Sequence, residues 1–137
     1  MKINVHTKAT LDSIDKAVKA KSKAVQRMLK VNGMDMVDTI KRNLGLDRSK
    51  YRKYGRHWSS RPNEYPNTDT GFLKGTVALS RKVVQGSVYV IVSARYARAL
   101  EFGSKKRNIR PRPFVKPVRD AKQKIFKIRI LRAMRNA

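Results

Sequence analysis

The first long stretch of regular apolar spacing runs from about Thr10 to Leu44. Leu11, Ile14, Val18, Val25, Met28, Leu29, Met36, Val37, Ile40 and Leu44 recur mostly at gaps of three, four or seven, the stripe of a helix with one face on a core. The spacing predicts a long helix over 8–45. Thr7 or Thr10 is placed to cap its start, and Asp12 and Asp15 fall in the first turn, where they oppose the macrodipole. Lys41 and Arg42 near the end do the same with opposite sign, and Gly45 suits a left-handed residue after the last turn. Asn32-Gly33 is a weak spot, where the helix either kinks or divides in two.

The period changes to two further along. Val77, Leu79 and Val83 alternate within 76–84, and Val88, Val90 and Val92 alternate within 87–93. With Gln85-Gly86 between them, the pair reads as a β-hairpin. Residues 96–102 form a short helical or irregular turn ended by Gly103. Pro111 and Pro113 exclude regular helix from 105–113. Helical spacing returns at Phe114, Val118, Ala121, Ile125, Ile128 and Leu131, with Pro117 in the first turn, where a missing N–H is tolerated.

The predicted fold class is α+β, a single domain over 1–137 with the long N-terminal helix and the C-terminal helix packed on a small antiparallel sheet. Its parts are the helix over 8–45, a polar loop over 46–70, the hairpin and turn over 71–103, and the Pro-bearing segment and helix over 104–137. Two strands alone are barely stable. A third is expected from the N-terminal segment (Ile3, Val5), from part of the loop, or from a neighbouring subunit.

Charge sharpens the picture. Lys and Arg number 34 against 9 Asp and Glu, a formal net charge of +25. A chain of 137 residues with that balance repels itself unless counter-charge is near. Nucleic acid, an acidic protein or an anionic membrane would supply it. The membrane is the weakest of these, since no run approaches the ~18 apolar residues of a spanning helix. The N-terminus has no apolar stretch of the secretory kind, so synthesis in the cytoplasm is expected. With 40% hydrophobic residues, a folded domain with basic appendages is expected rather than disorder.

Two segments concentrate the charge. From Asp47 to Arg61 six Lys or Arg stand against one Asp, with Tyr51, Tyr54 and Trp58 interleaved. From Lys105 to Ala137 thirteen Lys or Arg stand against one Asp. The loop either stacks on bases or anchors a protein contact, the second being favoured because Tyr, Trp and Arg are common hot-spot residues. The C-terminal segment, with Lys105, Lys106, Arg107, Lys116, Arg119 and Lys122, either faces DNA, binds acidic proteins or is merely solvated.

Catalytic chemistry finds little support. Cys is absent, which excludes disulfides and thiolate metal sites, and the two His, His6 and His57, are far apart. There is no paired-acid metal site, no His-based cluster, no phosphate-cradling Gly loop and no G-x-S-x-G. Neither an enzyme nor a bound metal or cofactor is expected.

Three short stretches carry a resemblance. They are Asp69-Thr70-Gly71-Phe72-Leu73-Lys74, Tyr96-Ala97-Arg98-Ala99-Leu100-Glu101-Phe102-Gly103, and Arg110-Pro111-Arg112-Pro113-Phe114-Val115-Lys116-Pro117. In that order they resemble the D-T-G-x-L, Y-A-x-x-x-E-F-G and R-P-F-[LV]-x-P elements of the small tail-completion, head–tail joining (neck) proteins of lambda-like tailed bacteriophages. The likeness spans Asp69 to Pro117, with the long helix before it, and departs in the longer, more basic loop over 47–66. It implies a structural virion subunit in a homo-oligomeric ring, six-fold, between head-side connector and tail-tube proteins around the DNA channel. It implies no catalysis and no cofactor. A tail terminator capping the tube, or a free non-specific nucleic-acid-binding protein, is the alternative.

The residues themselves assign candidate roles. Gly71 supplies a backbone conformation open to Gly, and Asp69 and Thr70 cap a local turn. Glu101 seeks a cation, with Arg110 or Arg112 as candidates in the same subunit or the next. Phe102 and Phe114 are either core or interface. Tyr51, Tyr54, Trp58, Asp69, Gly71, Glu101, Phe102, Arg110, Arg112 and Phe114 form the candidate contact set with partner subunits.

Overall fold

A computed structural model describes residues 6–46, 48–84 and 86–137, with side chains from residue 13 onward. The α+β class is observed, with a long N-terminal helix, a C-terminal helix and two separate two-stranded antiparallel sheets. Ile3, Val5 and Gln85 lie outside the described residues.

Helix α1 spans His6–Leu44 without division at Asn32-Gly33. It begins ahead of Thr7 and Thr10, so neither is its cap, and no acidic residue falls in its first turn. At 39 residues it is about 58 Å long. Gly45 donates its N–H to the Lys41 and Arg42 carbonyls at 3.0 and 3.2 Å without taking positive φ. The expected left-handed position is therefore not used.

The reason for glycine at position 33 lies across the fold. A Cβ there would stand 2.4 Å from Leu79 Cδ1 and 3.2 Å from Val88 Cγ1. The missing side chain lets the sheet lie against the helix. What resembles a local defect is a close approach.

That sheet pairs β3 (Val77–Leu79) with β4 (Val90–Val92), in register Val77 to Val92 and Leu79 to Val90. The alternation of the sequence holds, with Val77 buried and Ala78 and Ile91 facing solvent. The regular ladder is shorter than 76–84 and 87–93, and a bridge between Val84 and Ser87 continues it near the turn. The other sheet, β1 (Arg52–Tyr54) with β2 (His57–Ser59), falls inside the segment expected to be a loop. It adds no strand to β3–β4. Gly55, at φ 57°, makes its turn.

Short helices α2 (Phe72–Gly75) and α3 (Ala97–Phe102) flank the β3–β4 hairpin, and α4 spans Lys116–Arg135. The core joins Val37, Ile40 and Leu44 of α1 to Val77, Ala94, Ala97, Phe114 and Val118. It lies wholly at the C-terminal end of α1. Every described side chain from residue 13 to 23 is exposed.

Helix α4 lies along α1 with a different face from the one its apolar spacing implies. Ile125, Ile128 and Leu131 are about half exposed, and Ala121 is exposed too. Beyond Val118, the contact instead runs through Lys122, Phe126 and Arg129. Lys122 Nζ and Arg129 Nη1 reach the two Asp35 oxygens at 2.6 and 2.8 Å. Asn32, itself buried, donates to the Phe126 carbonyl at 3.2 Å. Rising numbers on α4 meet falling numbers on α1, so the two are antiparallel. The buried Asn32, which must find a partner, and the half-buried Asp35, which holds two cations, both fix on α4 and set its rotation.

Candidate interaction surface

The three motif segments meet around one shallow cleft of about 230 Å³. Its lining includes Trp58, Asp69, Gly71, Phe72, Tyr96 and Arg112. Each arrives by a local cause.

The first segment turns at Gly71, whose φ of 79° is left-handed. The turn leads into α2 rather than straight into a strand. Thr70 Oγ1 accepts the Phe72 N–H at 3.3 Å, a bond within the turn, while Gly71 holds the N-cap position of α2. Asp69 turns the other way and meets His57 Nδ1 of β2 at 2.7 Å. This contact ties the basic hairpin to the glycine turn.

That hairpin has its own supports. Asn67 donates to the carbonyls of Ser49 and Trp58 at 2.8 and 3.2 Å and accepts the Arg48 N–H at 3.0 Å. Glu64 accepts from the Ser49 hydroxyl and from the Arg61 N–H, and these bonds hold its carboxyl below the usual 4.5. Tyr51, Tyr54 and Trp58 remain exposed. Arg52 lies 5.7 Å from the Tyr54 ring, and Lys53 lies 5.7 Å from the Trp58 ring. The aromatic–basic interleaving read from the sequence is thus a surface in which cations partly cover ring faces.

In the second segment Tyr96 stacks at a tilt on Phe72, with ring centres 6.3 Å apart. Burial first, and then the Asp69 carboxylate, push its phenol above the usual 10.0. Glu101 departs from expectation. It makes no ion pair with Arg110 or Arg112. Its Oε2 accepts the N–H groups of Phe114 and Val115 at 2.8 and 3.1 Å, and its Oε1 accepts that of Lys116 at 2.9 Å. The N-terminus of α4 presents unsatisfied donors and a partial positive charge, and the carboxylate answers both.

The third segment threads between these parts. The Arg112 N–H donates to the Leu100 carbonyl at 2.6 Å, and its Nε donates to the Ser60 carbonyl at 3.0 Å. Arg112 is therefore an internal strut, not a free interface cation. Phe114 is 1% exposed and belongs to the core, whereas Phe102 is 75% exposed. They lie on different segments, Phe114 in the stretch that enters α4 and Phe102 on α3. Phe102 closes the last turn of α3 on the side away from Ala97, the buried residue of that helix.

Among the basic candidates, Lys105, Lys106, Arg107 and Arg110 are exposed on the turn before Pro111. Lys116 is exposed, and Arg119 pairs with Asp120 at 3.2 Å. Lys122 is tied to Asp35 against α1 and does not face outward. Asp35 is held below its usual 3.8 by Lys122 and then Arg129.

The sequence reading missed a set of cations on α1. Lys16, Lys19, Lys23, Arg27 and Lys30 follow gaps of three, four, four and three, and all five are exposed. The signal was the helical period of Lys and Arg, overlooked beside that of the apolar residues.

Among the described residues, no group of three or more His, Cys, Asp and Glu is placed to hold a metal ion. No described helix is long and apolar enough to cross a membrane. No family model, curated protein or solved structure matches the chain.

Proposed function

We propose that this chain is a non-enzymatic structural protein of a tailed-bacteriophage particle. It forms a homo-oligomeric ring at the head–tail junction and joins head-side connector proteins to the tail tube. The observation that carries the reading is the convergence of the three motif segments. Asp69 and Gly71, Tyr96, and Arg112 line one cleft, and Glu101 binds the third segment directly. Stretches that each resemble the neck family only weakly, taken singly, lie together in space.

The surface supports an assembled state. Phe72, Tyr89, Ile91, Tyr96 and Phe102 are exposed on and around the β3–β4 hairpin. Both sheets have two strands and therefore open edges, which neighbouring copies can extend. A monomer gains little from such features, whereas a ring buries them.

The test is the particle itself. Mass spectrometry of purified virions should find the chain at low copy, and electron microscopy should locate its ring at the neck. A ring capping the distal end of the tube would instead identify a tail terminator. Absence from purified virions would overturn the proposal.

A further inference from the structure

The five cations of α1 lie on one side of the helix. At about 100° per residue, Lys16, Lys19, Lys23, Arg27 and Lys30 fall within an arc of about 80°. They span about 21 Å of helix axis in steps of about 5 Å. All are exposed, and none forms an ion pair among the described residues. Asp15 adjoins the row, and Asp38 lies on the same side of the helix about two turns beyond Lys30. The nearest acidic group further along the inward face, Asp35, is already bound to Lys122 and Arg129.

We propose that this row is a docking surface for double-stranded nucleic acid, which it contacts through the phosphates. A straight row of like charges is costly to leave uncompensated in a +25 chain. A duplex carries phosphates at a comparable regular spacing along a stiff rod, so a rigid helix meets several of them with little ordering cost. The row contains no aromatic residue on which unpaired bases could stack, which argues against single strands. A membrane surface fits less well. The α1 face opposite the row is exposed at Ile14 and Val18, but from Val25 through Met28 and Leu29 to Asn32 it is partly buried against the rest of the fold, which leaves only a short apolar strip for a lipid interface. Recognition is sequence-independent, because phosphate contacts carry no base information. The surface differs from the C-terminal cations, and the proposal needs only the folded subunit, so it stands whether or not the neck reading holds.

The experiment measures binding of the full chain to a 20-base-pair DNA duplex, to a single strand of equal length and to anionic phospholipid vesicles, across a range of salt. A variant with Lys19→Gln, Lys23→Gln and Arg27→Gln is compared with Lys21→Gln, which lies on the same helix about 120° from the row. Glutamine keeps helix propensity, and circular dichroism checks that helicity is retained. The expected result is duplex binding that weakens with salt. The triple variant should lower the slope of log K against log salt by about 2.7, and Lys21→Gln should leave it nearly unchanged. Absence of duplex binding would overturn the proposal, as would an unchanged slope in the triple variant. An equal loss per residue from Lys21→Gln would reduce the effect to bulk charge and also overturn it. So would a triple variant that loses vesicle or single-strand binding while keeping duplex binding.

Discussion

Glu101 and Phe114 are joined by a hydrogen bond of 2.8 Å from the Phe114 N–H to Glu101 Oε2, across thirteen residues of chain. Through it, and the bonds to Val115 and Lys116, a side chain of α3 caps the helix α4. The same bond holds the backbone beside the most buried aromatic ring of the core. Replacing Glu101 by Ala strips acceptors from three N–H groups at once. Glu101→Ala should therefore lower stability by about 1–3 kcal/mol in denaturant unfolding, with Glu101→Gln losing less.

Acid should weaken the contact between α1 and α4. Lys122 and then Arg129 hold the Asp35 carboxyl below 3.8 in the folded chain, while in the unfolded chain it titrates near that value. Between the two values the unfolded state binds more protons, so the stability from this group is present above about 3.8 and drains away as pH falls through the folded value. Asp35→Asn should cost about 1–2 kcal/mol at neutral pH and flatten that part of the curve. Unfolding by denaturant at a series of pH values reads both effects.

Gly33 offers a case in which local propensity and packing oppose each other. Leucine is the better helix former by about 0.8 kcal/mol. At this position its Cβ alone collides with Leu79 and crowds Val88. Packing should win, with Gly33→Leu destabilising by about 1–3 kcal/mol and lowering the thermal midpoint.

Two glycines with positive φ should respond differently to alanine. At Gly71 nothing stands within 4 Å of an added Cβ, so Gly71→Ala meets only backbone strain of about 1 kcal/mol. Gly103, at φ 76° and ψ 171°, occupies a region almost closed to other residues. An added Cβ there would also meet the Ile109 carbonyl oxygen at 3.0 Å. Gly103→Ala should be the costlier change by more than about 1 kcal/mol in the same unfolding assay.

Phe102 separates folding from assembly. Its ring is too exposed to support the monomer, so Phe102→Ser should change monomer stability by less than about 0.5 kcal/mol. If the exposed apolar surface serves a ring, the same change should shift the oligomer toward smaller species in light scattering. An oligomer unaffected by it would remove Phe102 from the interface.

Much of the fold was legible in the chain. The periods of three to four around α1 and α4, the alternation around Val77, Leu79, Val90 and Val92, and the glycine-dependent turn at Gly71 named the elements and their order. Such features depend on near neighbours, and near neighbours are what a sequence displays. Other features required the residue opposite in space. Asp35 and Asn32 chose the buried face of α4 over its more apolar side. Leu79 and Val88 occupy the space a side chain at Gly33 would take, and the open end of α4 claimed Glu101 before any cation could. The hairpin within 46–70 rests on Asn67, Glu64 and Asp69, which reach it from further along the chain. The sequence alone determined the two long helices and the alternating pair around Val77 and Val92, because those preferences are local, whereas the β1–β2 hairpin and α2 went unread. Tertiary structure decided which face each presents and which polar group answers which, because burial and hydrogen bonding are settled between segments that only folding brings together.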